Sequence, residues 1–290
     1  MNRDYVIIIG AMKSGTSTLF DVLARHPQIA PASNKEPGFF AFDHIWNKGF
    51  AWFDTLFDFD PEQHRYRLEA STDYTKEPFA TGVWERMTAR PDVRVKLIYI
   101  MRHPLRRIES HARHTQIARK ELGQEISARP DHSLDAGPSP INVVTSQYAA
   151  QLDAFAAARA AGNLHCLTLE ELGTAPEATL NAVYAFLDLE PVTIEMQVKN
   201  AASDRMQVNP AWKRLTGLPI VRSLSGLVPK SLRQGLRQRF RKSKAIAEGR
   251  FALSPAEEAA FAQLLQADLK RLRDDFGIDT AKHWNIDPGA

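Results

Sequence analysis

The feature that most constrains the fold of this 290-residue chain is its first segment, YVIIIGAMKSGTSTL, which runs from Tyr5 to Leu19. Its apolar, β-branched run predicts a buried strand, and a glycine-bounded loop leads from that strand into a helical pattern. Free backbone N–H groups and the helix dipole make the start of such a helix a site for anions. The sequence therefore predicts a phosphate-binding loop between Gly10 and Ser17.

The lysine of this loop is not where nucleotide-hydrolysing enzymes have it. Their phosphate loop reads G-x-x-x-x-G-K-[ST]. Here Gly10 and Gly15 keep the spacing, but Thr16 follows the second glycine and the lysine is Lys13, inside the loop. At that position we expect Lys13 to lie against the oxygen that joins a leaving group to the transferred group, where negative charge builds.

The strand VKLIYIM ends in Arg102, followed by His103 and Pro104. Phosphate-loop hydrolases hold magnesium with an aspartate in a comparable place. An arginine repels a metal ion and attracts an anion, so we expect a second anion site here and no metal ligand.

Together these two motifs resemble those of the PAPS-dependent sulfotransferases. The matching residues of the first motif are those of the family's loop for the 5′-phosphosulfate, namely Lys13, Ser14, Gly15, Thr16, Ser17 and Thr18. In the second motif, MRHPLRRIESH, Arg102 and Ser110 match the family's pair for the 3′-phosphate. The resemblance implies a P-loop-like three-layer α/β/α fold with a central parallel sheet. It also implies the cofactor 3′-phosphoadenosine-5′-phosphosulfate (PAPS), with PAP as product.

A third motif, KEPGFF, resembles a segment of the glycan-modifying branch of that family, which includes heparan sulfate enzymes. In that branch a glutamate three residues before a Phe-Phe pair is the catalytic base, and by position this role falls on Glu36. Its task would be to take the proton from an acceptor hydroxyl, or from an amine, as that atom attacks sulfur. A lysine of the family's next motif is absent, since Ala70 stands there, which weakens the case for a heparan-like acceptor.

Hydrophobic periodicity predicts a parallel sheet covered by helices on both faces, in one domain over residues 1–290. The predicted strands are Tyr5–Ile9, Tyr66–Ser71, Val95–Met101 and Leu164–Leu169. The predicted helices are Thr16–Arg25, Phe79–Ala89, Leu105–Lys120, Ser146–Ala161, Pro176–Leu187 and Pro255–Phe276. Residues 119–140 carry no periodicity and read as a surface loop.

Residues 211–250 are strongly basic, with eleven Lys/Arg against a single acid, Glu248. We expect either a cover over the active site, an amphipathic surface resting on anionic lipid, or a solvated face. Nucleic acid is disfavoured, because no recognised binding module accompanies the charge. A late basic residue closing over the 3′-phosphate would be either Arg205 or one within Arg241–Lys244.

The remaining features suit a cytoplasmic enzyme, with peripheral contact to a membrane as an option. No apolar window approaches the 18 residues of a membrane span, and no signal peptide is evident. The single cysteine, Cys166, is expected to be a buried structural thiol. The histidines lack zinc-site spacing, and we expect His111 and its neighbours at the surface.

Two other functions stay open on the sequence alone. One is a phosphate-loop kinase of small molecules that uses magnesium and ATP. The other is a non-catalytic, membrane-associated nucleotide-binding protein. The favoured prediction is sulfuryl transfer from PAPS to a hydroxyl, or less readily an amine, of a carbohydrate or glycolipid.

Overall fold

The computed structural model describes residues 3–121, 141–193 and 252–289. The helices of this part of the chain are α1 (Thr16–Leu23), α2 (Asp43–Trp46), α3 (Gly49–Asp54), α4 (Val83–Met87), α5 (Pro104–Glu121), α6 (Ile141–Val144), α7 (Tyr148–Leu152), α8 (Ala156–Ala160), α9 (Leu169–Thr174), α10 (Pro176–Phe186), α11 (Pro255–Phe276) and α12 (Thr280–Trp284). Short 3₁₀ turns cover Thr72–Thr75 and Asp153–Phe155.

A five-stranded sheet forms the centre of the fold. Its strands are β1 (Arg3–Gly10), β2 (Ile29–Pro31), β3 (Tyr66–Ala70), β4 (Val93–Met101) and β5 (Leu164–Thr168). Their spatial order is β2-β3-β1-β4-β5, and every neighbouring pair runs parallel. The loops that follow β2, β3, β1 and β4 therefore meet at one edge of the sheet, where open α/β sheets bind ligands.

Both faces of the sheet are buried, which is why β1 is continuously apolar. Alternate side chains of β1 enter two separate cores. Tyr5, Ile7 and Ile9 pack in the core that includes α3, α7 and α11. Val6 and Ile8 pack in the core that includes α1 and α10. The predicted three-layer α/β/α fold is confirmed.

The longest helix begins and ends where the sequence predicts. Ser254 accepts a hydrogen bond from the Glu257 backbone N–H, the Glu257 side chain accepts from the Ser254 N–H, and Pro255 follows in the first turn. Gly277 ends the helix in the left-handed conformation, with φ of 69°. The residues at both ends of α11 thus satisfy the helix termini locally, which is why the sequence alone predicts its bounds.

Other boundaries differ from the prediction. The strand β2 was not predicted, because it is only three residues long and ends in proline. The predicted helix Ser146–Ala161 is divided into α7, a 3₁₀ turn and α8. The predicted helix Phe79–Ala89 shortens to α4, which begins after Gly82 in the left-handed conformation.

Two predictions of burial can be compared with the structure. His111 is buried rather than exposed, because it lies on the side of α5 that faces the core beside Ile108 and Ala112. Cys166 is partly buried, and its desolvation raises the pKa of the thiol to about 12, consistent with a structural role.

Some predictions lie outside the described residues. These concern the basic segment 211–250, Arg205, the run Arg241–Lys244 and nearly all of the loop 119–140. The single domain over residues 1–290 accordingly stays a prediction. Within residues 3–121, 141–193 and 252–289, no helix is long and apolar enough to cross a membrane.

Candidate functional site

The loop between β1 and α1 carries the first predicted anion site. Lys13 has a φ of 72° and Gly15 a φ of 92°, so the backbone turns sharply before α1 begins. No side chain caps the helix at Gly15, and its first turn contains no acidic residue. The N–H groups at the start of α1 are thus left without a side-chain acceptor at that cap, as an anion site requires.

Ser14 adds a hydroxyl donor to this loop. Its side chain is fully buried, and its Oγ atom makes no hydrogen bond of good geometry within the described residues. Buried hydroxyls are normally paired, and an orphan in a loop of this shape indicates a place for a ligand acceptor. Thr16 is buried, Thr18 is half-buried and Ser17 is exposed.

Both glycines of the loop are required by close neighbours. A Cβ on Gly10 would lie 2.2 Å from Thr75 Oγ1, and a Cβ on Gly15 would lie 2.6 Å from Leu169 Cδ1. Thr75 also donates a 2.8 Å hydrogen bond to the Ile9 carbonyl oxygen. The loop is therefore held between the 3₁₀ turn after β3 and the start of α9.

Arg102 lies directly after β4, beside this loop. The Ala11 N–H donates to the Ile100 carbonyl oxygen at 2.7 Å, which ties the loop to the end of β4. The half-buried guanidinium of Arg102 makes no hydrogen bond or ion pair with the part of the chain that is described. Ser110 lies about two turns into α5 and is half-buried. An unpaired arginine at the ligand-binding edge of the sheet suits a phosphate.

Tyr148, on α7, joins the two anion motifs. Its hydroxyl donates a 2.7 Å hydrogen bond to the Arg102 carbonyl oxygen. Burial raises the pKa of Tyr148 to about 12, so the hydroxyl keeps its proton. The Ser14 hydroxyl lies close to the Tyr148 hydroxyl and partly offsets this rise in the pKa of Tyr148. Its Oγ nevertheless does not meet the geometry of a hydrogen bond.

Glu170 also holds the turn at Arg102 and His103 in place. Its Oε1 accepts from the His103 backbone N–H at 3.1 Å, and its Oε2 accepts from the Trp284 indole N–H at 3.0 Å. The Trp284 ring also packs against Tyr148, with ring centroids 6.0 Å apart. The C-terminal helix α12 thus supports the turn that carries Arg102.

The third motif lies in the loop Lys35–Phe40, after β2. Glu36 is exposed, with 45% of its side chain accessible, and accepts a 2.7 Å hydrogen bond from Lys35 Nζ. The loop itself is tied to the segment after β3: the Gly38 N–H donates to Ser71 Oγ at 2.9 Å. Glu36 is therefore an accessible carboxylate on a backbone that is held in place.

The residues at this edge fit a nucleotide with two separate phosphate groups. Three donors lack acceptors from the described chain at the places named above: the Ser14 hydroxyl, the Arg102 guanidinium and the uncapped start of α1. They are divided between the ends of two neighbouring strands, β1 and β4, and so offer two separate places for anions. Within the described residues, no group of three or more His, Cys, Asp or Glu side chains is placed to hold a metal ion.

Tyr148, Glu170 and Trp284 support the site although none of them lies in a predicted site motif. Tyr148 falls in an alanine-rich helical pattern, and nothing local distinguishes it. A signal for α9 does exist, since Thr168 and Glu171 have the spacing of a capping box, and the structure forms that box. The contacts made by Glu170 carry no such signal, because its partners are 67 and 114 residues away in sequence.

This chain is similar to known sulfotransferases. The family model described as "Sulfotransferase domain" matches residues 3–256. The human heparan sulfate glucosamine 3-O-sulfotransferase 5 is 27% identical over 190 residues, which are 64% of this chain and 53% of that protein. The mouse heparan sulfate glucosamine 3-O-sulfotransferase 3A1 is 28% identical over 192 residues, 64% of this chain and 46% of that protein. The chain thus spans about half the length of these curated relatives.

A crystal structure of a sulfotransferase from Alicyclobacillus acidocaldarius has a similar fold. The TM-score is 0.60 at 20% sequence identity, and the match covers 96% of this chain and 98% of that one. At this identity the likeness concerns the fold alone.

Proposed function

The chain belongs to the sulfotransferase domain family, whose members use PAPS as sulfuryl donor, and from that premise we propose that it transfers a sulfuryl group from PAPS to an acceptor hydroxyl. The observation that carries this proposal is the meeting of three motifs at one edge of the sheet. Two of the motifs follow β1 and β4, which are neighbours in the sheet. The third follows β2, which is separated from β1 by β3 alone. Family membership favours this function over that of a magnesium-dependent kinase.

The bound cofactor would supply the activated sulfuryl group. The 5′-phosphate end would be held by the loop residues Lys13, Ser14, Gly15, Thr16, Ser17 and Thr18 through N–H groups, hydroxyls and the lysine charge. The 3′-phosphate would be held by Arg102 and Ser110. The need for two phosphate sites gives a reason for selecting this nucleotide over ATP.

Two residues would act on the reacting groups. Lys13 supplies positive charge for the oxygen on which negative charge develops as the sulfur–oxygen bond to the leaving phosphate breaks. Glu36 accepts the proton of the acceptor hydroxyl as its oxygen forms the new bond to sulfur. The products are the sulfated acceptor and PAP, with the proton on Glu36.

The acceptor is proposed to be a carbohydrate or a glycolipid. The support is that the relatives named above are glucosamine 3-O-sulfotransferases of heparan sulfate. The loop Lys35–Phe40, by which the sequence resembles that branch, places Glu36 in solvent reach. A cytoplasmic location and a membrane contact through residues 211–250 remain proposals from the sequence.

Calorimetric titration with PAP, and separately with ATP and magnesium, tests the cofactor. We expect PAP to bind without metal, and Arg102→Ala to abolish that binding. Arg94→Ala is the matched control: Arg94 lies near the start of β4, whereas Arg102 follows its end, and Arg94 is exposed and pairs with Asp4. Binding of magnesium-ATP but not PAP would instead support the kinase, and binding of neither would contradict both enzymes.

The acceptor is tested by incubating the protein with sulfur-labelled PAPS and a panel of glycans, glycolipids, phenols and tyrosine peptides. We expect label on a hydroxyl of a glycan or glycolipid. Transfer only to phenols or peptides would leave the sulfotransferase activity standing but overturn the proposed acceptor class.

A further inference from the structure

A fully buried carboxyl group, that of Glu69, lies at the carboxyl end of β3 beneath the loop Lys35–Phe40. Its side chain is wholly inaccessible to solvent, and its Oε2 atom has no hydrogen-bond partner in the described residues. It forms no ion pair within those residues, because the ammonium group of the nearby Lys35 pairs with Glu36 instead. No role in binding the cofactor or taking the acceptor proton falls on this group.

Glu69 is connected to the loop through Ser71. Ser71 Oγ is hydrogen-bonded to Glu69 Oε1 and also accepts the Gly38 backbone N–H at 2.9 Å. A hydroxyl has one proton, so a Ser71 that donates to Glu69 is oriented with a lone pair towards Gly38. The carboxyl group therefore sets the direction of the hydroxyl that holds the loop.

Two further bonds join the same segments. The Ala70 N–H donates to the Lys35 carbonyl oxygen at 3.2 Å, and the Phe40 N–H donates to the Tyr74 hydroxyl at 3.4 Å. The loop is thus fixed at its start, middle and end by Ala70, Ser71 and Tyr74, three of the five residues that follow Glu69. The central bond depends on Ser71, which Glu69 orients, and the Tyr74 hydroxyl of the last bond also interacts with the Glu69 carboxyl.

Burial favours the uncharged form of Glu69. An ionised carboxylate without a cation partner is costly in an apolar interior, and desolvation raises the pKa of Glu69 to about 8. Ser71, Tyr74 and the Lys35 ammonium oppose this rise in pKa, whereas the Glu36 carboxylate adds to it. On its own strand the nearest charged neighbour is Arg67, which stacks on Phe59. At neutral pH, Glu69 is therefore mainly a carboxylic acid.

We propose that Glu69 is a positioning residue for the transfer: it orients Ser71, which holds the loop that carries Glu36, and in its neutral form it leaves Lys35 paired with Glu36. Ionisation would place a second negative charge beside Glu36 and compete for the ammonium group of Lys35. At alkaline pH the Ser71 hydroxyl still donates to Glu69, but the Lys35 ammonium group is drawn from Glu36 towards the new carboxylate. The inference rests on the proposed function only where it treats Glu36 as the base.

Nuclear magnetic resonance of the Gly38 amide tests the inference without any substrate. In the wild-type protein we expect the Gly38 amide shift to titrate with a midpoint near pH 8. Glu69→Gln keeps the size and the acceptor oxygen but cannot ionise, so the titration should vanish while the amide stays protected from exchange. Ser71→Ala should lower that protection roughly tenfold, the loss of about one hydrogen bond. Glu85→Gln, the same change at an exposed glutamate, should leave both properties as in the wild type.

Two results would overturn the inference. One is a Gly38 amide that still titrates near pH 8 in Glu69→Gln, because another group would then be responsible. The other is unchanged protection of Gly38 in Ser71→Ala, because the bridge would then not hold the loop. Neither result bears on whether the protein binds PAP, so a failure here is distinct from a failure of the proposed function.

Turnover adds a kinetic measurement once PAP binding and an acceptor are established. Ser71→Ala should lower kcat and leave PAP affinity unchanged, and Glu69→Gln should keep kcat at pH 7 while extending activity above pH 8. If Glu69→Gln lost as much turnover as Glu36→Gln at pH 7, Glu69 would be acting on the proton itself and the positioning role would be wrong.

Discussion

The hydroxyl of Tyr148 donates a 2.7 Å hydrogen bond to the backbone carbonyl oxygen of Arg102, although 46 residues separate them. This bond fixes the main chain at the point where β4 ends and the predicted 3′-phosphate arginine begins. Ser14 of the other anion motif lies beside the same hydroxyl. One buried phenol therefore sets the spacing between the two proposed phosphate sites.

Tyr148→Phe should weaken PAP binding by about 1 kcal/mol, or five- to tenfold in Kd, while the fold is kept. The ring still packs against Tyr99 and Trp284, so only the bond to Arg102 is lost. Calorimetry measures the effect. Tyr184→Phe is the control, because the Tyr184 hydroxyl is buried in the other core and lacks a partner in the described residues. Equal PAP affinity in wild type and Tyr148→Phe would contradict the proposed spacing role.

Glu170→Gln should lower the free energy of unfolding by about 1–3 kcal/mol. Glu170 accepts two N–H groups with its two oxygens, and an amide would turn its own N–H group towards one of these donors. Chemical unfolding measures the change, with the exposed Glu62→Gln as the control. We also expect weaker PAP binding, since the turn at His103 adjoins Arg102. An unchanged unfolding midpoint would show that the bridge to Trp284 is dispensable.

Glu36→Gln should reduce turnover of PAPS with an acceptor by about 10²–10⁴-fold and leave PAP affinity unchanged. The amide keeps the size of the side chain but cannot take a proton at neutral pH. The control is again Glu85→Gln. A parallel loss of PAP binding would assign Glu36 to the nucleotide instead of the acceptor.

Gly15→Ala should lose PAP binding as well as stability. A side chain at a φ of 92° is strained by roughly 1–2 kcal/mol, and its Cβ would also press on Leu169. Gly162→Ala separates the two effects, because Gly162 has a φ of 67° but open space around its Cβ position. Both variants should unfold more easily, and only Gly15→Ala should bind PAP more weakly. Similar PAP affinities in the two variants would argue against a phosphate at this loop.

The raised pKa of Glu69 predicts how stability depends on pH. Between the ordinary pKa of 4.5 and the folded value of about 8, the folded protein keeps a proton on Glu69 that the unfolded chain releases. The free energy of unfolding therefore falls as pH rises through this window, by up to about 1.4 kcal/mol per pH unit for this group. Glu69→Gln removes that dependence.

Urea unfolding of wild type and Glu69→Gln at pH 5.5 and pH 7.5 measures this contribution. The stability of Glu69→Gln relative to wild type should rise by roughly 2–3 kcal/mol between the two pH values. Comparing the two proteins cancels the other titrating groups. A constant difference would mean that Glu69 is ionised in the folded protein.

The sequence by itself determined the elements whose signals are local. The apolar run before Gly10 predicted a strand buried on both faces, and the glycine-bounded loop after it predicted an anion site. The bounds of α11 were fixed by its capping box and terminal glycine, because those groups satisfy the helix ends within a few residues. The order of the motifs around Lys13, Glu36 and Arg102 was enough to indicate the family.

Tertiary structure alone decided how these motifs are supported. Three side chains support the motifs through hydrogen bonds that only the folded chain forms. They are the phenol of Tyr148, which bonds to Arg102, the carboxylate of Glu170, which joins His103 to Trp284, and the buried acid of Glu69. Their sequence neighbourhoods look ordinary, since hydrogen bonds over long sequence distances leave no period or spacing to read. The burial of His111 and Glu69 could not be predicted from the sequence either. The desolvation of a side chain depends on which elements pack over it, and only the folded chain determines that.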